Sequence, residues 1–166
     1  MKEKPTFLLS GAIALVISLL SLTPVHGQEY KALEGLESIN SVIDFRKDNP
    51  KEAAAYLHYI HQTYMYLNTS FSENADLVIV FTGPVVKLLS TNSKSLSAAD
   101  SEILDQIAET VASMGKDGIR MEICLFACKL SGIELETILP EIKQVENGWV
   151  SLLGYQAKDY SLLPIY

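Results

Sequence analysis

The sequence predicts an α/β domain of three layers, a mainly parallel five-stranded sheet held between helices. Three observations carry this. Strand-length runs rich in β-branched and aromatic residues alternate with segments whose apolar residues recur at three- and four-residue intervals. The run Asp76-Leu77-Val78-Ile79-Val80-Phe81 is apolar at nearly every position, as a strand covered on both faces must be. Between the runs stand Gly, Pro, Asn, Asp and Ser, the residues that cap helices and turn chains.

The chain opens with an address. Lys2 and Lys4 flank Glu3, an apolar run follows from Phe7 to Leu22, and Thr23-Pro24-Val25-His26-Gly27 supplies a breaker and small residues before Gln28. That is the order of a secretory signal peptide over residues 1–27, and an apolar run of about 16 residues is too short for a stable bilayer span, which needs roughly 20. An exported protein, periplasmic or extracellular, is therefore expected, with no stable membrane span after cleavage. Residues 28–40 read as a polar linker or lead-in, and residues 41–166 as the α/β domain.

Within the domain, Ser41 to Arg46 reads as the first strand, and Lys47-Asp48-Asn49-Pro50 supplies an N-cap with Pro just inside the helix that follows. That helix, about 50–68, places Ala54, Leu57, Ile60 or His61, and Tyr64 on one stripe. The second strand ends at Thr82-Gly83-Pro84, with a short helix over Val85–Leu89 and a Ser/Asn-rich loop over Ser90–Ser97. A Ser or Asp cap starts the helix Ala98–Met114, and Gly115 is expected to close it. Gly118 to Ile123 reads as the third strand, Leu125 to Leu130 as a helix broken by Gly132, and Pro140 as the end of a further short segment. Ile142–Val145, Trp149–Ala157 and Ser161–Ile165 complete the set as strand, helix and strand. Alternation of this kind implies crossover connections and a flavodoxin-like outline.

Bulk properties narrow the function. With 13 Lys and Arg against 20 Asp and Glu the net charge is −7, and no basic cluster is present to neutralise phosphates, so nucleic acid is not an expected partner. Two cysteines exclude a multi-bridge disulfide scaffold. No phosphate-binding fingerprint, nucleophile elbow or paired-carboxylate pattern occurs, and no cofactor is expected.

Sites in parallel sheets lie beyond the carboxyl ends of the strands, here Asp48, Thr82-Gly83-Pro84, Cys124 and the turn at Asn147-Gly148. Cys124 leads, because a thiol between a strand end and a helix start faces unpaired N–H groups that favour thiolate. Its neighbours Ile123, Leu125 and Phe126 fit a buried inert cysteine equally well, so both readings stay open. Cys128 follows at helical spacing and is a possible resolving thiol; a bridge between the two needs distortion, since an i, i+4 pair has its Cα atoms about 6 Å apart. His58 and His61 lie mid-helix, too far from the strand ends for a shared metal site, and Tyr56, Tyr59, Tyr64 and Tyr66 read as helix packing.

The ordered motifs resemble the DsrE/DsrF-like family, small α/β proteins of sulfur relay. The likeness runs from about Ser41 to Pro164. It rests on Val42-Ile43-Asp44-Phe45 with Asp48-Asn49-Pro50, on Leu77 to Pro84 with Val86-Lys87-Leu88-Leu89, on Cys124 with Gly132-Ile133, and on Gln156, Tyr160 and Pro164. The resemblance implies a homo-oligomer or an assembly of related subunits in which Cys124 carries sulfur as a persulfide, exchanging it with a thiol or sulfur donor and acceptor. Two positions depart from the family pattern. Leu125-Phe126-Ala127 stands where small and polar residues such as Gly and Asn follow the cysteine, and Asp159 stands at a usual Gly, which implies a changed turn. The apolar flank supports an alternative reading, an exported binding or assembly domain that keeps the fold with a structural cysteine.

Overall fold

The structure is a computed structural model and describes residues 30–71, 74–92 and 98–166. The expected export segment, residues 1–27, lies outside the described residues, as do residues 93–97 of the Ser/Asn-rich loop and the cap expected there. The chain divides into two units, Met1–Glu34 and Gly35–Tyr166. Of the first, a single turn of 3-10 helix over Lys31–Leu33 is described. Among the described residues no helix is long and apolar enough to cross a membrane.

Among its described residues the second unit holds five strands and four α-helices. In chain order these are β1 (Ile39–Phe45), α1 (Pro50–Ser70), β2 (Ala75–Phe81), α2 (Ala98–Lys116), β3 (Arg120–Cys124), α3 (Leu125–Leu130), β4 (Lys143–Val145), α4 (Gly148–Gln156) and β5 (Ser161–Ile165). All neighbouring strands pair in parallel, in the order β4-β3-β2-β1-β5. The segment expected as a helix at Val85–Leu89 is a 3-10 helix over Gly83–Leu88, entered through Gly83 at φ 69. The first strand begins two residues earlier than expected, where Ile39 aligns with Ala75.

Period-two alternation sorts the strands into two faces. Ile43, Phe45, Leu77, Ile79, Phe81, Met121 and Ile123 join the larger core with α1, α2 and α3. Phe45 and Phe81 meet edge to face there, ring centroids 5.6 Å apart. Helix α1 buries Ala53, Leu57, Ile60 and Tyr64, one residue off the expected start of the stripe. The opposite face carries Val42, Val78 and Val80, covered by Leu152 and Tyr155 of α4 and by Tyr160. One short helix, with Tyr160, thus covers the central valines of this face, and polar side chains share the face with them.

Helix ends correct two expectations. Gly115 does not close α2; a Cβ there would stand 3.2 Å from Cγ of Glu141, so its hydrogen leaves room for that side chain. The helix ends instead on Gly118 at φ 91, with the Ile119 N–H donated to the Met114 carbonyl and the Gly118 N–H to the Gly115 carbonyl. Asp159 does not change its turn. It holds φ 63, and Tyr160 N–H to Tyr155 carbonyl with Asp159 N–H to Gln156 carbonyl reproduce the same closure at the end of α4. An aspartate tolerates the left-handed conformation better than most residues, so the turn survives without glycine.

Candidate functional site

The winding locates the site. From β1 the chain steps through β2 and β3 to β4 in one direction, and β5 then returns to the far side of β1. The order reverses between β1 and β5, and crevices at such switch points are where open parallel sheets take ligands. At the carboxyl end of this pair stand Arg46 and Tyr166, tied by the Arg46 N–H to the Ile165 carbonyl at 2.8 Å.

Beneath them lies a buried polar network that the sequence reading did not single out. Asp44, 2% exposed, accepts from the Thr82 hydroxyl at 2.8 Å and from both Nε and Nη2 of Arg46 at 3.0 and 2.6 Å. Arg46 also lies over the Tyr166 ring, 4.9 Å from its centroid. The bond to Asp44 raises the Arg46 pKa further above its already high value and keeps it cationic. A buried carboxyl group is tolerated only when its lone pairs find donors, and Thr82 and Arg46 supply them. The signal available in sequence was one Asp set between the apolar residues Val42, Ile43 and Phe45 of the strand.

By strand alternation Cys124 falls on the same face at the end of β3, and its side chain also packs with the larger core. The pairings Asp44 with Val80 and Val80 with Glu122 put Arg46 and Thr82, each just past the end of its strand, and Cys124, the last residue of β3, one level higher. Thr82 links the network to the cysteine through α4. A Cβ built on Gly148, the first residue of that helix, would lie 2.7 Å from Thr82 Cγ2, 3.1 Å from Cys124 Cβ and 3.2 Å from Val80 Cγ1. Helix α4 therefore rests directly on Thr82 and Cys124, and only glycine allows that approach. Asn147 caps it by accepting from the Trp149 N–H at 3.0 Å. Under this lid Cys124 is 5% exposed.

Cys124 is the N-cap of α3, as expected, but its side chain makes no cap hydrogen bond, and the Phe126 N–H at that helix start is given to the Glu146 carbonyl at 3.2 Å. Cys128 is fully buried in the larger core, where burial and then the neighbouring Cys124 push its pKa up to about 11. Both are free thiols. Thr82 and Gly148 are thus brought to Cys124. Gly83 and exposed Pro84 continue the loop beyond Thr82, while Asp48 is exposed in the loop before α1, where it adds negative charge beside Lys47.

The remaining sequence features resolve into local roles. His61 Nε2 lies 2.6 Å from Asp117 Oδ2, joining α1 to the end of α2, and His58 packs beside the Tyr59 ring. Among the described residues no group of three or more His, Cys, Asp or Glu is placed to hold a metal ion. Of the four tyrosines expected to pack, Tyr64 alone is buried, whereas Tyr56, Tyr59 and Tyr66 are exposed. The stripe of Ala53, Leu57, Ile60 and Tyr64 already fills the core-facing side of α1, and at 100° per residue the other three rings fall outside it.

Solved structures that share this fold include two proteins. One is a protein of unknown function, MTH1491 from Methanobacterium thermoautotrophicum, with a TM-score of 0.61 at 14% identity, covering 77% of this chain and 100% of its own. The other is the YchN protein of E. coli, with a TM-score of 0.56 at 12% identity, covering 76% of this chain and 99% of its own. Both are DsrE-like folds, so the three-layer architecture implied by the resemblance is the one found. No family model matches the chain, and no curated protein does.

Proposed function

We propose that this is an exported thiol protein that holds a sulfane sulfur on Cys124. The observation that carries the reading is the position of Cys124 at the carboxyl end of β3, beside Thr82 and beneath the first turn of α4, on the sheet face that also buries the Asp44–Arg46 pair. Displacement of the first turn of α4 uncovers Cys124. Its thiolate then attacks the terminal sulfur of a donor persulfide, R–S–SH. A Cys124–sulfur bond forms, the donor S–S bond breaks, and R–S⁻ leaves to take a proton; no external oxidant or reductant is needed. Cys128, with its pKa near 11, stays protonated and outside this exchange at neutral pH.

The test is mass spectrometry after treatment with polysulfide. A 32 Da sulfur increment, roughly one atom on the thiolate carrier, is expected on Cys124 and persists in Cys128→Ala but not in Cys124→Ser. A folded protein that takes no adduct at Cys124 overturns the reading. Export is tested separately by the amino terminus of the secreted protein, which begins at Gln28 if residues 1–27 are removed and at Met1 if they are not.

One observation favours a second reading, an exported assembly domain with structural cysteines. Trp149, Val150 and Leu153 on α4 are each more than 60% exposed, as are Phe126 and Leu130 on α3. Apolar side chains grouped on two adjoining helices are a surface for self-association. Under this reading the native protein is an oligomer by light scattering, Trp149→Glu with Leu153→Glu makes it a monomer, and neither thiol reacts before denaturation. A wild-type monomer with a reactive Cys124 refutes it.

A further inference from the structure

The amino-terminal half of β3 borders a second cavity, of about 600 Å³, which plays no part in the chemistry proposed for Cys124. That volume is within the range of small-molecule sites. Its polar lining is Lys116, Arg120, Glu122, Glu141 and Lys143, and its apolar lining includes Met121 on the α2 side of β3 and the ring of Tyr155 on the α4 side.

Glu122 is the unusual member. It is 6% exposed, its Oε1 accepts from the Tyr155 hydroxyl at 3.0 Å, and its Oε2 is buried with no partner. Ionised, that oxygen lacks a donor; protonated, it lacks an acceptor. A buried polar atom left in this condition marks a place where something else binds. The nearest cation in sequence does not serve it, because Arg120 Nη2 is engaged by both oxygens of Asp76, at 2.7 and 2.6 Å, and by the Tyr160 hydroxyl at 2.8 Å. Burial alone would raise the Asp76 pKa, but Arg120 and then Tyr160 outweigh it and hold the group below its ordinary value, so the pair stays ionised and self-contained. Lys143 stands opposite Glu122 in the β3–β4 register, yet among the described residues neither Lys143 nor Lys116 forms an ion pair.

With Arg120 neutralised by Asp76, the wall presents two carboxyl groups and two ammonium groups around an apolar floor. We infer that this cavity binds a zwitterionic α-amino acid with an apolar side chain. The ligand ammonium donates to Glu122 Oε2, its carboxylate meets Lys143, which stands beside Glu122 in register, and its side chain lies against the ring of Tyr155 on the same face of β3, with Lys116 and Glu141 at the α2 rim. The glycine at position 115 serves the same arrangement by letting the Glu141 stem lie across α2. Neither the thiol reading nor the assembly reading bears on this inference, since the cavity includes neither cysteine.

Calorimetric titration of the purified protein with L-leucine, L-methionine and L-phenylalanine tests it. Binding of at least one is expected, with N-acetyl-L-leucine and L-leucinamide, which lack one charge each, at least tenfold weaker than L-leucine if L-leucine binds, or the matching derivatives of whichever amino acid does. Glu122→Gln is expected to weaken binding at least tenfold, and Lys143→Ala, an exposed change that leaves the core untouched, several-fold. Absence of binding by all three amino acids up to about 20 mM, beyond the weak millimolar limit of useful affinity, overturns the inference. So does equal binding of the singly charged derivatives, or binding unchanged in Lys143→Ala. Should Glu122→Gln fail to fold, Lys143→Ala and the derivatives decide the matter.

Discussion

Gly148→Ala puts the contact between α4 and the cysteine under direct strain. The added methyl would stand 2.7 Å from Thr82 Cγ2, 3.1 Å from Cys124 Cβ and 3.2 Å from Val80 Cγ1. None of the three swings away freely: Thr82 and Val80 are β-branched and stiff at χ1, and Cys124 Cβ is fixed to its strand. The helix must lift instead. With three stiff neighbours the overpacking costs about 2–3 kcal/mol, the upper part of the usual range, while alanine recovers up to about 1 kcal/mol of helix propensity over glycine, so the net loss is about 1–2 kcal/mol. For a domain of this size each kcal/mol moves Tm by roughly 3–5 °C, which gives a fall of about 3–10 °C. Lifting α4 also uncovers Cys124, so a thiol reagent under native conditions reacts faster there, with Cys128 as the slow internal reference. Gly154→Ala in the same helix is the control: nothing lies within 4 Å of its Cβ position, and it is expected to raise Tm slightly and leave the thiol rate alone. A Gly148→Ala protein as stable as the wild type, or one with an unchanged rate at Cys124, refutes the close packing of α4 on the thiol.

Asp159→Gly is expected to stabilise the protein by about 0.5–1 kcal/mol in urea titration, because glycine adopts φ 63 without strain and the gain exceeds its larger unfolded-state entropy; a loss of stability would refute this account of the turn. Thr82→Val keeps the shape and removes the 2.8 Å donor to buried Asp44, a loss of about 1–3 kcal/mol by the same measurement, and an equally stable variant would show that Arg46 and the Tyr166 hydroxyl satisfy the carboxyl group without it. Burial, and then the bond to Glu122, push the Tyr155 pKa from 10.0 up to about 12. A raised pKa means that this contribution is complete below pH 10 and is lost as pH rises through about 12. The decline of stability across that interval is expected to flatten in Tyr155→Phe, and an unchanged slope would contradict it.

Much of the fold was legible because its signals are local. The continuous apolar run of β2 announced burial on both faces, Asn49-Pro50 marked the start of α1, and Cys124 fell at the junction of β3 and α3 as expected. Where the reading slipped, a distant partner had intervened. Gly115 looked like a helix stop, yet Glu141, 26 residues on, explains it. Asp159 looked like a changed turn, although the hydrogen bonds of Tyr160 and Asp159 to the preceding turn keep it unchanged. Four tyrosines in one helix looked alike, but packing against the sheet chose Tyr64.

The sequence by itself determined the alternation of strands and helices, the parallel three-layer architecture and the strand-end position of Cys124, because period, caps and breakers act over a few residues. Only the tertiary structure decided which polar groups gather on the α4 face. Asp44, Thr82 and Cys124 come from three strands, and Tyr166 and Gly148 from the end of the chain and the start of its last helix. Their meeting depends on a winding order that reverses after β4, and on a glycine that lets one helix touch the sheet. Side-chain alternation prepares each strand separately; lateral pairing in register brings their polar positions to one level, and no local pattern encodes that.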